Sequence, residues 1–510
     1  MKKWFILLCL CSEIWANASI DWNSPINLSG PGVMFEPVGE VVSNDVDQVI
    51  AIWARYNGNW IVETAFSTND GRNWFSPDTE ITSGMQSLVN PTPRIALNDN
   101  NVAIAIFADH DSQYEIKTAY SQDGGQNWIT SATVLDAQAT IIQDPQIALQ
   151  GENLAVACWE GLNGAIHAAY SSNGGIDWTV TGALSGIGAS NPQVAINIVD
   201  EACLIYEIGG RIQGSYSVDA GAAWTASTPT FLSDTTVTKQ KVALDDTGMA
   251  VAVWVRDNGA HTVIESLYSM DSGATWSSSQ VLSDPNEDAD NPRVSLNSDG
   301  DTIVVWQSQD THTVIQYAYS FDGGFSFSSP IALSSLANDS ISPDVSINDD
   351  GVVAIVYVDI TDQVILGSSS VDAGVTFFPP VALSSSGVSV GNPSVSLNGQ
   401  DNAQVIWSID TGSVYTVQTL FGNYFNVYLT QDVKKLLFQR DYVNRIFCDP
   451  MPDAFLYRVY SDAALTKLLY EGTVPEFFHH GQKKGAHRTY YMTWADSFGE
   501  ESSSVEVTTP

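Results

Sequence analysis

Basic residues are scarce in this 510-residue sequence: 20 Lys and Arg stand against 58 Asp and Glu, a formal net charge of −38 at pH 7. That balance excludes the phosphate-backbone binding of nucleic-acid proteins and disfavours anionic membrane surfaces. The deficit is uneven. Residues 421–510 hold 9 basic and 11 acidic side chains, whereas residues 19–420 hold 9 basic and 46 acidic ones, a surface suited to solubility outside a cell. Cysteine is equally sparse. Of five, Cys9 and Cys11 lie in the N-terminal segment, and Cys158, Cys203 and Cys448 are too scattered for a disulfide framework, so buried free thiols are expected. No apolar run after the N-terminus approaches a membrane helix in length. The core must therefore come from packed sheets, and the chain is long enough for one large core and a small one.

The first 18 residues, MKKWFILLCLCSEIWANA, carry two lysines, an apolar run from Trp4 to Cys11, and the small-x-small site Ala16-Asn17-Ala18. They read as a secretory leader whose apolar part is too short to span a bilayer. The expectation is export, to a secreted, periplasmic or cell-surface location, with a mature chain starting near Ser19.

A short pattern recurs through the chain, most clearly in Tyr120 to Trp128, YSQDGGQNW. Its form is Ser-x-Asp-x-Gly-x-x-Trp, and copies begin at Ser67, Ser121, Ser171, Ser217, Ser269, Ser320 and Ser370, at intervals of 54, 50, 46, 52, 51 and 50 residues. A period near 50 is the mark of a repeat architecture. The acidic position holds Asn69, Asp123, Asn173, Asp219, Asp271, Asp322 and Asp372, and Phe327 and Phe377 replace the Trp. Ser and Asp oxygens accept backbone N–H groups, Gly takes positive φ, and the aromatic folds back on its own sheet, so each copy reads as a tight hairpin.

Each period also holds four short apolar runs, which argues all-β. The first reads Pro-x-Val-x-Leu-Asn, as in NPRVSLN from Asn291. The second ends on an aromatic, at Trp53, Phe107, Trp159, Tyr206, Trp254, Trp306, Tyr357 and Trp407. The third leads into the Ser of the hairpin, and the fourth ends in Leu-Ser. First and second runs number eight but hairpins seven, because the last repeat stops near Phe421 without its fourth strand. The missing strand is found at the other end, in Asp21 to Gly30, DWNSPINLSG.

These hairpins resemble the Asp-box (BNR) repeats of sialidases and related β-propellers. The resemblance implies a propeller in which each box is a structural fastener away from the ligand-binding face. It suggests eight blades over 19–421, with the last blade shared between the chain ends so that fewer sheet edges are exposed; six or seven blades are the alternative if a terminal repeat is degenerate. Residues 422–510 change rhythm, with strands at sandwich spacing. Tyr490, Asp496, Gly499 and Ser502 resemble the late-strand pattern of fibronectin type III domains, with Tyr490 as the corner tyrosine.

The resemblance also places a ligand at the mouth of the central channel, opposite the boxes. Two sets of residues then become candidates. One follows the strand-two aromatics: Arg55, Asp109, Glu160, Glu207, Arg256, Asp359 and Asp410. The other precedes the first-strand Val or Ile: Arg94, Gln146, Gln193, Lys241, Arg293, Asp344 and Ser394. Five of the propeller's nine basic residues fall in these sets, so the expected rim centres on Arg55, Arg94, Asp109, Glu160, Glu207, Lys241, Arg256 and Arg293.

An exo-sialidase requires three arginines on one carboxylate, a Tyr–Glu nucleophile and an Asp acid/base, and lysine is a poor substitute for the arginine fork. Where that family has Phe-Arg-Ile-Pro, this chain has Phe35-Glu36-Pro37-Val38, with an acid in the arginine's place. Tyr56 with Glu160 or Asp109 is the nearest nucleophile–acid pair. The expected role is therefore non-catalytic binding of a glycan or protein, with a rearranged glycoside hydrolase as the alternative. No cofactor is implied. Acidic turns such as Asn297 to Asp301 and Asn348 to Gly351 offer oxygen ligands for Ca²⁺ but lack an established loop spacing, and turn chemistry explains them. His479 and His480 show no metal-ligand spacing, and no Ser-His-Asp or phosphate-loop pattern is present.

Overall fold

The computed structural model describes residues 15–29, 39–56, 58–76, 81–82, 90–110, 113–138, 143–233, 236–412, 415–435, 440–448, 456–482, 488–495 and 505–508. Among them there is no α-helix. The chain divides into two compact units, Ser24–Phe421 and, together, Met1–Asn23 with Gly422–Pro510.

The larger unit is a succession of antiparallel meanders, eight sheets among the described residues. In the third, Gln143–Leu149, Ala155–Glu160, Ile166–Ser171 and Thr179–Ala183 pair in chain order. The fourth to seventh repeat this order, and the first, Gly39–Ser43, Val49–Tyr56 and Trp60–Ser67, shows three strands. The eighth comprises Ser389–Leu397, Asn402–Asp410 and the start of Tyr415–Lys435, and its outer strand is Ile26–Asn27, paired with Thr419 and Gln418.

Apolar faces of successive sheets pack on each other. Ile50 and Ile52 of the first sheet meet Ala105 and Phe107 of the second, and Val41, Ala51 and Trp53 of the first meet Ile406 and Val417 of the eighth. The first and last sheets are thus neighbours, and the unit is a β-propeller. The strand-two aromatics occupy these interfaces; Trp53, Phe107, Trp159, Tyr206, Trp254, Trp306, Tyr357 and Trp407 are all fully or almost fully buried.

The seven Ser-x-Asp hairpins share one bonding pattern. Each Ser Oγ accepts the N–H of the Gly four residues on at 2.9–3.0 Å and donates to the Asp or Asn Oδ1 at 2.6–3.0 Å. The hairpin is tied to the turn between strands one and two of its own sheet, as by Gly124 N–H to Asn101 O at 2.8 Å and Gly323 N–H to Gly300 O at 2.9 Å, so both lie at the same end. It also seats on the preceding sheet. Gly125 has φ +86°, and a Cβ there would lie 2.9 Å from Ile50 Cδ1, so glycine is required by conformation and by contact.

At that same end, the Asn closing the first strand caps its own turn and reaches the next sheet. Asn348 Oδ1 accepts Val352 N–H at 3.0 Å, while its Nδ2 donates to Asn398 O at 3.0 Å and Asp401 Oδ1 at 2.7 Å. Asn44, Asn98, Asn297 and Asn398 do likewise, and Asn398 donates to Asn44 O at 3.3 Å and Asp70 Oδ1 at 3.0 Å, which carries the chain of bonds from the last sheet to the first. Asn297 and Asn348, named above as turn residues with oxygen ligands, are structural caps. Among the described residues no group of three His, Cys, Asp or Glu is arranged to hold a metal.

In the smaller unit, Arg440–Cys448 pairs with Glu476–Gln482 and with the later part of Tyr415–Lys435, and a second sheet has the order Leu468–Gly472, Leu456–Tyr460, Thr489–Ala495, Val505–Thr508. Ile446, Val459, Tyr490, Met492 and Val507 form its core. Tyr490 differs from the expected corner tyrosine, because its hydroxyl accepts Asn444 Nδ2 at 2.8 Å and lies 2.9 Å from His479 Nδ1. Asp496, Gly499 and Ser502 of that pattern lie outside the described residues. Residues 1–14 of the expected leader also lie outside them. Its last four belong to Trp15–Trp22, which pairs with Gly422 to Leu429, so Asp21 and Trp22 join this unit and not the propeller's outer strand as expected. The long strand Tyr415–Lys435 continues past Phe421 and offers pairing groups there.

Cys158, Cys203 and Cys448 are free and buried. Among the described residues no helix is long and apolar enough to cross a membrane. The cross-sheet bonds of Asn348 yield a test: Asn348→Asp keeps the cap acceptor but removes the donor, and urea denaturation should show a loss of about 1–3 kcal/mol, with a larger loss for Asn348→Ala.

Candidate functional site

The site begins with a local irregularity in the inner strands. In the sequence Asn-Pro-x-Val, or Ser-Pro-x-Val in the seventh sheet, the Pro has no N–H to give the ladder, and the strand bulges there, between Asp290 and Arg293, between Ile341 and Asp344, and between Gly391 and Ser394. The residue before the Pro takes a left-handed conformation, with φ of 53° at Asn291, 53° at Ser342 and 47° at Asn392, which Asn tolerates better than most residues. The fifth sheet has Lys239-Gln240-Lys241 in place of this motif and bulges at the same point, with Lys239 at φ 56°.

Each bulge delivers the next side chain into one cavity of about 450 Å³. Arg94, Gln146, Gln193, Lys241, Arg293, Asp344 and Ser394, the whole second candidate set, line it together, one from each of sheets two to eight. The first sheet adds Glu40, which the sequence analysis missed. Its strand reads Gly39-Glu40-Val41 and lacks the Pro that flags the other copies. The available signal was spacing: Glu40 stands four residues before Asn44, as Arg94 does before Asn98, Arg293 before Asn297 and Asp344 before Asn348. Four strand residues span about 13 Å, which separates the cavity from the asparagine bonds at the box end. Asn291, Ser342 and Asn392, the left-handed bulge residues, also line it and were likewise missed.

The lining groups are half-buried and bonded around the ring. Glu40 Oε2 accepts Ile95 N–H of the second sheet at 3.0 Å, and Asp344 Oδ2 accepts Val395 N–H of the eighth at 3.0 Å. Lys241 Nζ donates to Gln193 Oε1 at 3.0 Å. Arg293 donates to Asn291 Oδ1 and Pro292 O, both at 3.1 Å, with its Nε 3.7 Å from Asp344 Oδ1. Burial raises the pKa of Glu40, although Arg94 opposes the shift, and raises that of Asp344 against the pull of Arg293. Asp144, which feels Arg94 and Lys241, is also raised by burial. Lys241 is lowered to about 7, by burial first and then by the Arg293 and Arg94 charges. Three cations and two carboxylates thus share the cavity, in a protein that is otherwise strongly acidic.

The first candidate set is placed differently. Arg55 pairs with Glu63 at 2.5 Å, and Glu63 also accepts Trp53 Nε1 at 2.8 Å. Arg256 pairs with Glu265 at 2.7 Å, and Asp109 with Lys117 at 2.6 Å. Each partner stands on the adjacent strand of the same sheet, so these charges satisfy one another across a strand pair and do not line the cavity. Glu160 and Glu207 are also outside its lining, their pKa values raised by burial. Asp359 is buried and caps its own turn through Thr361 N–H at 3.0 Å and Asp362 N–H at 2.9 Å. Arg94 and Arg293 meet in the cavity, whereas Arg55, Arg211 and Arg256 do not line it and neither does any tyrosine. Arg211 lies over the Phe231 ring, 5.1 Å from its centroid. The Phe35-Glu36-Pro37-Val38 stretch is outside the described residues.

The sequence matches no protein-family model and no curated protein. Among solved structures the chain is similar to the Dos1 propeller, at 11% identity over 78% of this chain and 95% of that one with a TM-score of 0.48. It is similar to the polysaccharide lyase Uly1, at 7% identity over 79% and 100% with a TM-score of 0.46. The BP39L lectin from Burkholderia pseudomallei matches at 14% identity over 68% and 97% with a TM-score of 0.45. Likenesses this distant carry no information about ligand or chemistry.

The lowered Lys241 gives a pH-dependent prediction. Unfolded, the lysine keeps its proton up to its ordinary value of 10.5, but folded it keeps it only below about 7. Between those values the unfolded state binds more protons, so this group makes stability rise with pH. Lys241→Met should therefore gain stability over the parent most at or below pH 7, with the gain shrinking towards pH 10.5; urea denaturation at pH 6, 8 and 10 checks it.

Proposed function

We propose that this chain is an exported Asp-box propeller with a fibronectin type III-like module, acting as a non-catalytic binding or scaffold protein at or outside the cell surface. The ligand, a glycan or a protein segment, is held in the channel cavity. The observation that carries this reading is the convergence of one inner-strand side chain from each sheet on a single cavity, with Arg94, Lys241 and Arg293 among them. Three cations gathered where the rest of the propeller is acidic favour a ligand with a carboxylate or sulfate group. The amides of Gln146, Gln193, Asn291 and Asn392 can both donate to and accept from hydroxyls on the same ligand.

A glycoside hydrolase is the second reading, favoured by Glu40 and Asp344, two carboxylates facing one cavity with raised pKa values. Against it, each already accepts a backbone N–H from the next sheet, which gives both a positional role. The lining residues also lack the tyrosine that a sialidase nucleophile requires.

The test is titration calorimetry of the full chain with acidic and neutral oligosaccharides, alongside hydrolysis of a fluorogenic sialoside. Acidic saccharides should bind and neutral ones should not, with no turnover. Arg94→Gln and Arg293→Gln should each weaken binding about tenfold or more, while Arg55→Gln, whose parent side chain is paired within its own sheet, should leave it unchanged. Affinity should fall as pH rises from 6 to 8, because Lys241 loses its proton near 7. Turnover abolished by Glu40→Gln would instead establish the hydrolase.

A further inference from the structure

A second cavity, of about 220 Å³, opens between the seventh and eighth sheets and shares Ser342 and Asn392 with the first. The two therefore adjoin at a pair of bulge residues. Their chemistry differs sharply. Among the described residues, the lining of the cleft holds no cation. Its walls are the aliphatic Ile341, Val358 and Val390 together with Tyr415, and its polar groups are hydroxyls, one amide and Asp410. The Asp410 carboxylate already accepts Gly412 N–H at 2.7 Å. An anionic group entering the cleft would meet that carboxylate and an apolar wall, with no opposite charge to offset its desolvation.

Resting on the binding reading above, we infer that the ligand is a saccharide of at least two units, with an acidic sugar among the cations of the channel cavity and a neutral sugar in the cleft between the seventh and eighth sheets. A pyranose presents an apolar face and a rim of hydroxyls, which matches aliphatic and aromatic walls edged by Ser408, Ser389 and Asn392. The order of charges follows from the positions of the groups: the cations lie only on the channel side of Ser342 and Asn392.

The inference is tested by titration calorimetry of the full chain with methyl glucuronide, with a disaccharide of glucuronic acid and a neutral hexose, and with digalacturonate. The mixed disaccharide should bind about tenfold or more tightly than the glucuronide, and digalacturonate should show no comparable gain. Ser389 is exposed, so Ser389→Trp fills the cleft from a position where a large side chain does not disturb the core. It should remove the disaccharide's advantage and leave glucuronide affinity unchanged, with a thermal melt confirming the fold. Tyr415→Ala is the second variant and should cut the disaccharide's advantage in the same way. A disaccharide no tighter than the glucuronide, an equal gain for digalacturonate, or an unchanged advantage in Ser389→Trp would overturn the inference while the channel site stands. Binding of an acidic peptide with none of these sugars bound would overturn the inference too. Failure of all ligands would remove the channel reading itself.

Discussion

In five of the eight sheets the asparagine that closes the inner strand makes the bond on which this propeller depends. Its carbonyl oxygen caps the turn that follows, and its amide hydrogens satisfy a carbonyl of the next sheet, so one side chain fixes both the shape of a sheet and its distance from its neighbour. The geometry needs a group that accepts and donates at once, which Asn and Gln supply and Asp does not. Where the third sheet has Gln150, the amide reaches Asp200 Oδ1 of the fourth at 3.0 Å. Where the fifth has Asp245, the turn is still capped, through Thr247 and Met249 N–H at 2.8 Å. The donor is gone there, and the fifth sheet reaches the sixth at the bulge end, where Lys239 donates to Asp290 at 2.6 Å. The hairpins add a second tie at the same end by seating a left-handed glycine on the preceding sheet.

Fastening the sheets at one end has a consequence at the other. With the hairpin end closed by bonds, the inner strands bulge at the Asn-Pro step, five to six residues before the capping asparagine, as at Asn291-Pro292 before Asn297. In sheets three to eight the bulge turns one side chain inward without disturbing the apolar interfaces, while the first and second sheets supply Glu40 and Arg94 from regularly paired strands, so the ring tolerates Glu, Arg, Gln, Lys, Asp and Ser at equivalent positions. Charge there is therefore adjustable while the scaffold stays constant. The cluster of Arg94, Lys241 and Arg293 gathers side chains from sheets two, five and six, the second far along the chain from the adjacent fifth and sixth. Glu40 and Asp344 limit the repulsion among them and are themselves held by the next sheet's backbone.

Much of this was legible in the residues. The spacing of the Ser-x-Asp hairpins gave the repeat, the aromatic second runs gave the inter-sheet core, and the position before the first-strand Val gave seven of the eight ring residues. The misses have physical causes. Glu40 was hidden because its strand lacks the Pro that marks the others. Arg55 and Arg256 seemed equivalent to Arg94 because sequence shows where a charge stands along a strand and not whether the neighbouring strand already holds its partner. Glu63 and Glu265 are those partners, eight and nine residues away across a hairpin. The outer strand expected from Asp21 to Gly30 meets the eighth sheet through Ile26 to Ser29, whereas Asp21 and Trp22 follow the long strand beyond Phe421.

The sequence alone determined whatever depends on local periodicity: all-β structure, the four-strand repeat, the hairpin chemistry of Ser, Asp and Gly, and the burial of one aromatic per sheet. These are fixed by contacts within about ten residues. Tertiary structure decided which charges meet. Arg94 and Arg293 are 199 positions apart in the chain and line one cavity, whereas Arg55 and Glu63 are close in sequence and neutralise each other. Closure of the ring is what separates the two cases, because an axis shared by every sheet exists only once the first sheet packs on the last.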